Sequence, residues 1–140
     1  MGDARLVMEA QEPMNYDVLV IDAFSSDAIP VHLLTRESFA LYAKLLKPNG
    51  VLAVHISNRY LDLAPVCARG AESLGRKSMV VYDEGDTYSN STTWVLITAD
   101  ENFFTSAAFN GANIYPAVAK PEFRSWTDDY SNIVSILSLN

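Results

Sequence analysis

The sequence predicts an α/β fold built around a partly parallel sheet, and three observations carry that expectation. Val18-Leu19-Val20-Ile21 and Val51-Leu52-Ala53-Val54 are continuous apolar runs of strand length, as expected of parallel strands covered on both faces. Between them Phe39, Tyr42, Leu45 and Leu46 recur at helical spacing, and a strand–helix–strand order implies a right-handed parallel crossover. A further run, Thr92-Thr93-Trp94-Val95-Leu96-Ile97-Thr98, is rich in β-branched and aromatic residues. Only a polar stretch without helical pattern separates it from the strand before it, so these two form an antiparallel pair.

In chain order, a short helix is expected over residues 5–10. The first strand, Tyr16-Asp17-Val18-Leu19-Val20-Ile21-Asp22, opens into a small polar loop, Ser25-Ser26-Asp27-Ala28-Ile29-Pro30. Thr35 is a good N-cap for the next helix, and Glu37 sits in its first turn, where the helix dipole favours a carboxylate. Lys47-Pro48-Asn49-Gly50 stops that helix and turns the chain into the second strand, which runs through Ile56. Asp62 can cap a third helix that tolerates Pro65 in its first turn, with Gly75 at its end. Residues 78–82 make the third strand and residues 92–98 the fourth. The expected sheet order is Tyr16 strand, Val51 strand, Thr92 strand, Ser78 strand, in a three-layer fragment. The tail from Glu101 has one short helical stretch. It then runs irregularly through Pro116 and Pro121 to Trp126-Thr127-Asp128-Asp129-Tyr130-Ser131-Asn132 and a final apolar segment.

Composition narrows the function classes. The 140 residues are 49% hydrophobic and 19% charged, which suits one domain, or part of one, with a real core. A formal net charge of -7 argues against a nucleic-acid partner, because phosphate backbones select basic faces. Cys67 is the single cysteine, so no internal disulfide and no cysteine-rich zinc site can form. Cys67 falls on the apolar side of a helix and reads as core. No signal peptide and no membrane-length apolar run is evident, which makes a cytoplasmic setting the default. Asn90-Ser91-Thr92 matches a glycosylation pattern by chance.

Three stretches converge on the carboxyl edge of such a sheet: Gly2-Asp3-Ala4, the loop from Asp22 to Pro30, and His55-Ile56-Ser57-Asn58. Ligands bind at that edge in open α/β sheets. Asp22 closes a buried strand and can take a proton from an ammonium group, making an amine nucleophilic; it reads equally as a cap for loop backbone. Asp27 can hold a second positive group, or is a solvated turn residue. Asp3 can accept a hydrogen bond from an adenine amino group, or is a frayed terminus. His55 reads as a rim residue, with no second ligand at metal spacing. Tyr88, with Ser89 and Asn90, lines a substrate mouth or serves a hairpin. Asp128-Asp129 is a cation site or a structural cap.

Taken together, Gly2-Asp3-Ala4-Arg5, the strand ending at Asp22 and the loop to Pro30 resemble the second half of a spermidine synthase-like (polyamine aminopropyltransferase) domain. Leu46-Lys47-Pro48-Asn49-Gly50-Val51-Leu52 is similar to the post-helix turn of class I methyltransferase-type Rossmann-like folds. Val54-His55-Ile56-Ser57-Asn58-Arg59-Tyr60 and the Trp126–Asn132 stretch resemble domains of this kind fused behind membrane transporter-like regions. The resemblance implies that residues 1–140 are a C-terminal half, a partial Rossmann-like sheet with flanking helices whose parallel strands end in an antiparallel hairpin. It implies aminopropyl transfer from decarboxylated S-adenosylmethionine to a polyamine such as putrescine, without a metal. Asp22 is then the catalytic base, Asp27 and Tyr88 bind substrate, and Asp3 binds the nucleoside. The parent protein would be cytoplasmic or membrane-tethered.

The chain departs from the family in three ways. Four residues, Ala23-Phe24-Ser25-Ser26, separate its two loop aspartates where the family has two. Ala28 replaces the following proline. The glycine-rich cofactor turn has no counterpart among the scattered glycines at positions 2, 50, 70, 75, 85 and 111, and the acidic ribose-binding residue has no candidate. This fragment is therefore expected to be inactive by itself. An S-adenosylmethionine-dependent methyltransferase and a non-catalytic polyamine-binding domain are the alternatives. Without its first strand the Tyr16 strand is an exposed apolar edge, which predicts a homodimer or swapped assembly covering Val18 to Ile21.

Overall fold

The computed structural model describes residues 3–22 and 29–138. Its elements are helix α1 (Ala4–Glu9), strand β1 (Tyr16–Ile21), helix α2 (Arg36–Leu45), strand β2 (Leu46–His55), helix α3 (Ala64–Ser73), and strands β3 (Lys77–Asp83), β4 (Thr92–Thr98) and β5 (Asn113–Pro116). Single turns of 3-10 helix occur at Val31–Leu33, Phe103–Thr105, Ala107–Phe109 and Ile133–Ile136. The sheet order is β1-β2-β4-β3-β5. β1 and β2 are parallel, and the remaining neighbours are antiparallel. The first four strands thus stand in the expected order, and β5 is an addition at the far edge.

Local chemistry explains where the helices begin. Thr35 caps α2, its hydroxyl accepting from the Ser38 N–H. Asp62 accepts from the Ala64 N–H, although Leu63 is the cap position of α3. Gly75 takes φ +62 just past α3, the left-handed conformation that ends many helices. The expected turn at residues 47–50 survives as a bulge inside β2. Tyr16 pairs with Leu46 and Val18 with Val51, so two steps on β1 match five on β2. A Cβ at Gly50 would lie 2.9 Å from the Tyr16 carbonyl oxygen, which leaves room only for glycine.

Both long helices pack on one face of the sheet. Phe39, Tyr42 and Leu45 of α2 and Val66, Cys67 and Ala71 of α3 are buried. Alternation along the strands sends Ile21, Leu52, Val54, Val80, Val95 and Ile97 into the same core. A Cβ at Gly70 would overlap the Phe39 ring, so this glycine sets how closely α2 and α3 approach. Burial pushes the Cys67 thiol up to about 12, consistent with a core role. The opposite face is only partly covered: Trp94 and Leu96 are half-buried, and Val18 and Val20 are 55% and 54% exposed. This corrects two expectations. The described residues form two main layers rather than three, and β1 is covered on one face rather than both, because no helix among them packs outside it.

Candidate functional site

The parallel register of β1 and β2 builds the site. Ile21 pairs with Val54, so the next residues, Asp22 and His55, emerge side by side at the carboxyl edge. Asp22 Oδ1 lies 2.7 Å from His55 Nδ1. His55 Nε2 lies 2.7 Å from Ser57 Oγ, and Ser57 Oγ accepts the Thr93 N–H at 2.8 Å. The imidazole stacks on Trp94, its pairing partner on β4, with centroids 4.7 Å apart and planes 24° apart. Beside Asp22 a cleft of about 390 Å³ opens between α1 and β1, lined by Ala4, Val7, Met8, Leu19, Ile21 and Leu33 among others. It is an apolar trough with a carboxylate at its rim, and its size lies within the range of small-molecule sites.

Comparisons with known proteins agree with this fold. A polyamine aminopropyltransferase of Vibrio vulnificus (strain CMCP6) is 38% identical over 56 residues, which is 39% of this chain and 19% of that protein. The crystal structure of a probable spermidine synthase from Corynebacterium glutamicum ATCC 13032 matches with a TM-score of 0.61 and 19% identity, over 89% of this chain and 53% of that one. The chain shares the Rossmann-like fold of that solved structure. No family profile matches it. It spans about half the length of that solved structure.

The fold places the sequence-predicted residues unevenly. Asp22 stands at the carboxyl edge with its side chain 56% exposed. Asp3 caps α1 through the Arg5 N–H at 2.9 Å and lies 3.5 Å from His32 Nε2. It adjoins Ala4, so the start of α1 and the end of β1 share one cleft. Asp27 lies outside the described residues. Tyr88 is on the β3–β4 loop at the same sheet edge, but it is 96% exposed. That loop is organised by Asp86, which accepts from the N–H groups of Tyr88 and Ser89; these bonds hold its carboxyl below the ordinary range.

Asp128 turns out to be a clasp. Its carboxylate accepts from both Arg5 Nη atoms at 2.7 and 2.5 Å and from the Thr35 hydroxyl at 2.8 Å. The cation it holds is therefore a residue of the chain itself. The hydrogen bond from Arg5 holds the Asp128 carboxyl below its usual range, and Asp128 raises the Arg5 guanidinium in return. Trp126, two residues earlier, is 1% exposed and plugs the core. Sequence reasoning missed the pairing of His55 with Asp22. The signal was present: both residues directly follow apolar runs that pair in parallel. Among the described residues no group of three or more His, Cys, Asp or Glu could hold a metal ion, and no helix is long and apolar enough to cross a membrane.

Proposed function

We propose that this domain is the acceptor-side half of a polyamine aminopropyltransferase, with Asp22 as the base. The observation that carries the reading is the position of Asp22, at the end of a parallel strand and on the rim of the α1–β1 cleft. In the proposed reaction a polyamine such as putrescine loses an ammonium proton to Asp22. The freed nitrogen bonds to the aminopropyl carbon of decarboxylated S-adenosylmethionine, the carbon–sulfur bond breaks, and sulfur leaves with the electron pair as a neutral thioether. The apolar wall of the cleft suits an adenine ring, with Asp3 as partner for its amino group. Asp27 and Tyr88 are the proposed amine-side contacts. The similarity to a polyamine aminopropyltransferase supports this assignment.

The glycine-rich cradle that this chain lacks comes, in this reading, from another segment that docks along the free edge of β1. When the chain stands alone, a second copy takes that edge and makes a homodimer, because an unpaired apolar strand recruits another. Replacing both Val18 and Val20 by Lys is expected to leave a monomer by sedimentation.

Calorimetric titration with decarboxylated S-adenosylmethionine, S-adenosylmethionine and putrescine tests the reading. Binding of the decarboxylated nucleoside in preference to its parent supports aminopropyl transfer. Preference for S-adenosylmethionine overturns it in favour of methyl transfer. Putrescine binding with no nucleoside binding, even when the missing half is supplied, makes the domain a polyamine sensor.

A further inference from the structure

We infer that His55 and Ser57 are positioning residues that make Asp22 a one-sided base: Oδ1 is tied down, and Oδ2 is the oxygen that receives the amine's proton. The inference rests on the aminopropyl reading above, but its geometry stands apart from it.

The hydrogen-bond sense of the chain follows from what each group can donate. The Thr93 N–H is a backbone donor that can neither rotate away nor lose its proton, and it fills one lone pair of Ser57 Oγ at 2.8 Å. An ionised carboxylate only accepts, so the Nδ1 that meets Asp22 Oδ1 at 2.7 Å carries the hydrogen. A neutral imidazole then presents a bare Nε2, which the Ser57 hydroxyl fills at 2.7 Å. Every donor in the row thus meets an acceptor, running from Thr93 through Ser57 and His55 to Asp22. Trp94 closes one face of the ring. Both ring nitrogens and one ring face are therefore restrained. Asp22 Oδ2 has no hydrogen bond among the described residues.

The exposure gradient sets the direction in which the row works. Aspartate, histidine and serine in this order also make the hydrolase triad, where serine attacks and the aspartate is buried behind the histidine. Here the order of access is reversed. The Asp22 side chain is 56% exposed and His55 only 20%, while Ser57 is anchored to backbone. The carboxylate is the end that meets a substrate, and serine is the anchor. The step is a single proton transfer: an N–H bond of the ammonium breaks and an O–H bond forms at Oδ2.

Two measurements test this. The first is nitrogen-detected NMR of the imidazoles in the chain, with His32→Gln separating the two histidines. A dominant Nδ1–H tautomer at His55 near neutral pH, lost on Asp22→Ala, is the expected result; an Nε2–H tautomer in the unaltered chain overturns the inference. The second is transfer kinetics in the protein supplied with its cofactor half. His55→Leu is expected to lower kcat about 10–100-fold, as misplacement of a reacting group does, with little change in KM for the amine. His55→Asn, which keeps a donor near the Nδ1 position, should recover most of that loss. An unchanged kcat in His55→Leu would sink the positioning role. If the unaltered protein transfers nothing, the aminopropyl reading fails, and the tautomer still decides whether the row exists.

Discussion

Asp22 and Asp128 are both partly exposed carboxylates outside regular secondary structure, and the fold uses them in opposite ways. Asp128, 41% exposed, has both oxygens engaged by Arg5 and one of them also by Thr35, while its own N–H donates to Glu37 at 3.1 Å. Among the described residues Asp22, 56% exposed, has one partner, His55, on one oxygen. A carboxylate saturated by fixed donors holds structure together. One with a spare oxygen beside a cleft is available for proton transfer. Counting donors separates the two more sharply than burial does.

The comparison can be broken most decisively by asparagine at each position. Asp22→Asn is expected to cut transfer about 10²–10⁴-fold, the usual contribution of a general base, with an unchanged melting temperature. Asp128→Asn should leave the rate per folded molecule intact. Equal rate losses in the two variants would mean that the division of labour is wrong.

Smaller effects concern the clasp. Asp128→Ala should cost about 1–2 kcal/mol of stability in denaturant melts, from lost charge-assisted hydrogen bonds discounted for solvent screening. Thr35→Ala removes the cap of α2 as well as one Asp128 partner, and should cost about 1 kcal/mol. The double variant should lose less than the sum, because the two residues share a bond.

The smallest effect is in the acid profile. Arg5 lowers the Asp128 carboxyl below its ordinary 3.8 in the folded chain. A depressed folded value contributes stability that is present above the unfolded value and fades as pH falls through the folded one. The gap between the unaltered chain and Asp128→Asn should therefore shrink from about pH 5 towards pH 3. A gap that stays constant there would show that the Arg5 bond contributes nothing.

Much of this was legible in the sequence, where the deciding signal was local. The runs at residues 18–21, 51–54 and 92–98 announced strands, Thr35 announced the start of α2, and helix-free spacing announced the β3–β4 pair. Asn113–Pro116 carried no such signal. It is four residues with no apolar alternation and a terminal proline, and it becomes a strand only because the outer edge of β3 offers it backbone partners. Such an edge tolerates proline, which has no N–H to donate. The clasp was illegible for a related reason. Arg5 and Asp128 meet across 123 residues, and neither neighbourhood hints at the other. The two layers could not be read either, since an apolar run looks the same whether one face or both are covered.

That span of 123 residues sets an order of events during synthesis. The guanidinium of α1 leaves the ribosome long before the carboxylate that will hold it. At 5–20 residues per second the interval is roughly 6–25 seconds. Through that interval α1, a six-residue helix, is too short to persist alone. Helix α1 therefore settles late, when the Trp126–Asp128 stretch arrives. The cleft whose wall α1 provides is finished only after the Trp126–Asp128 stretch has been made.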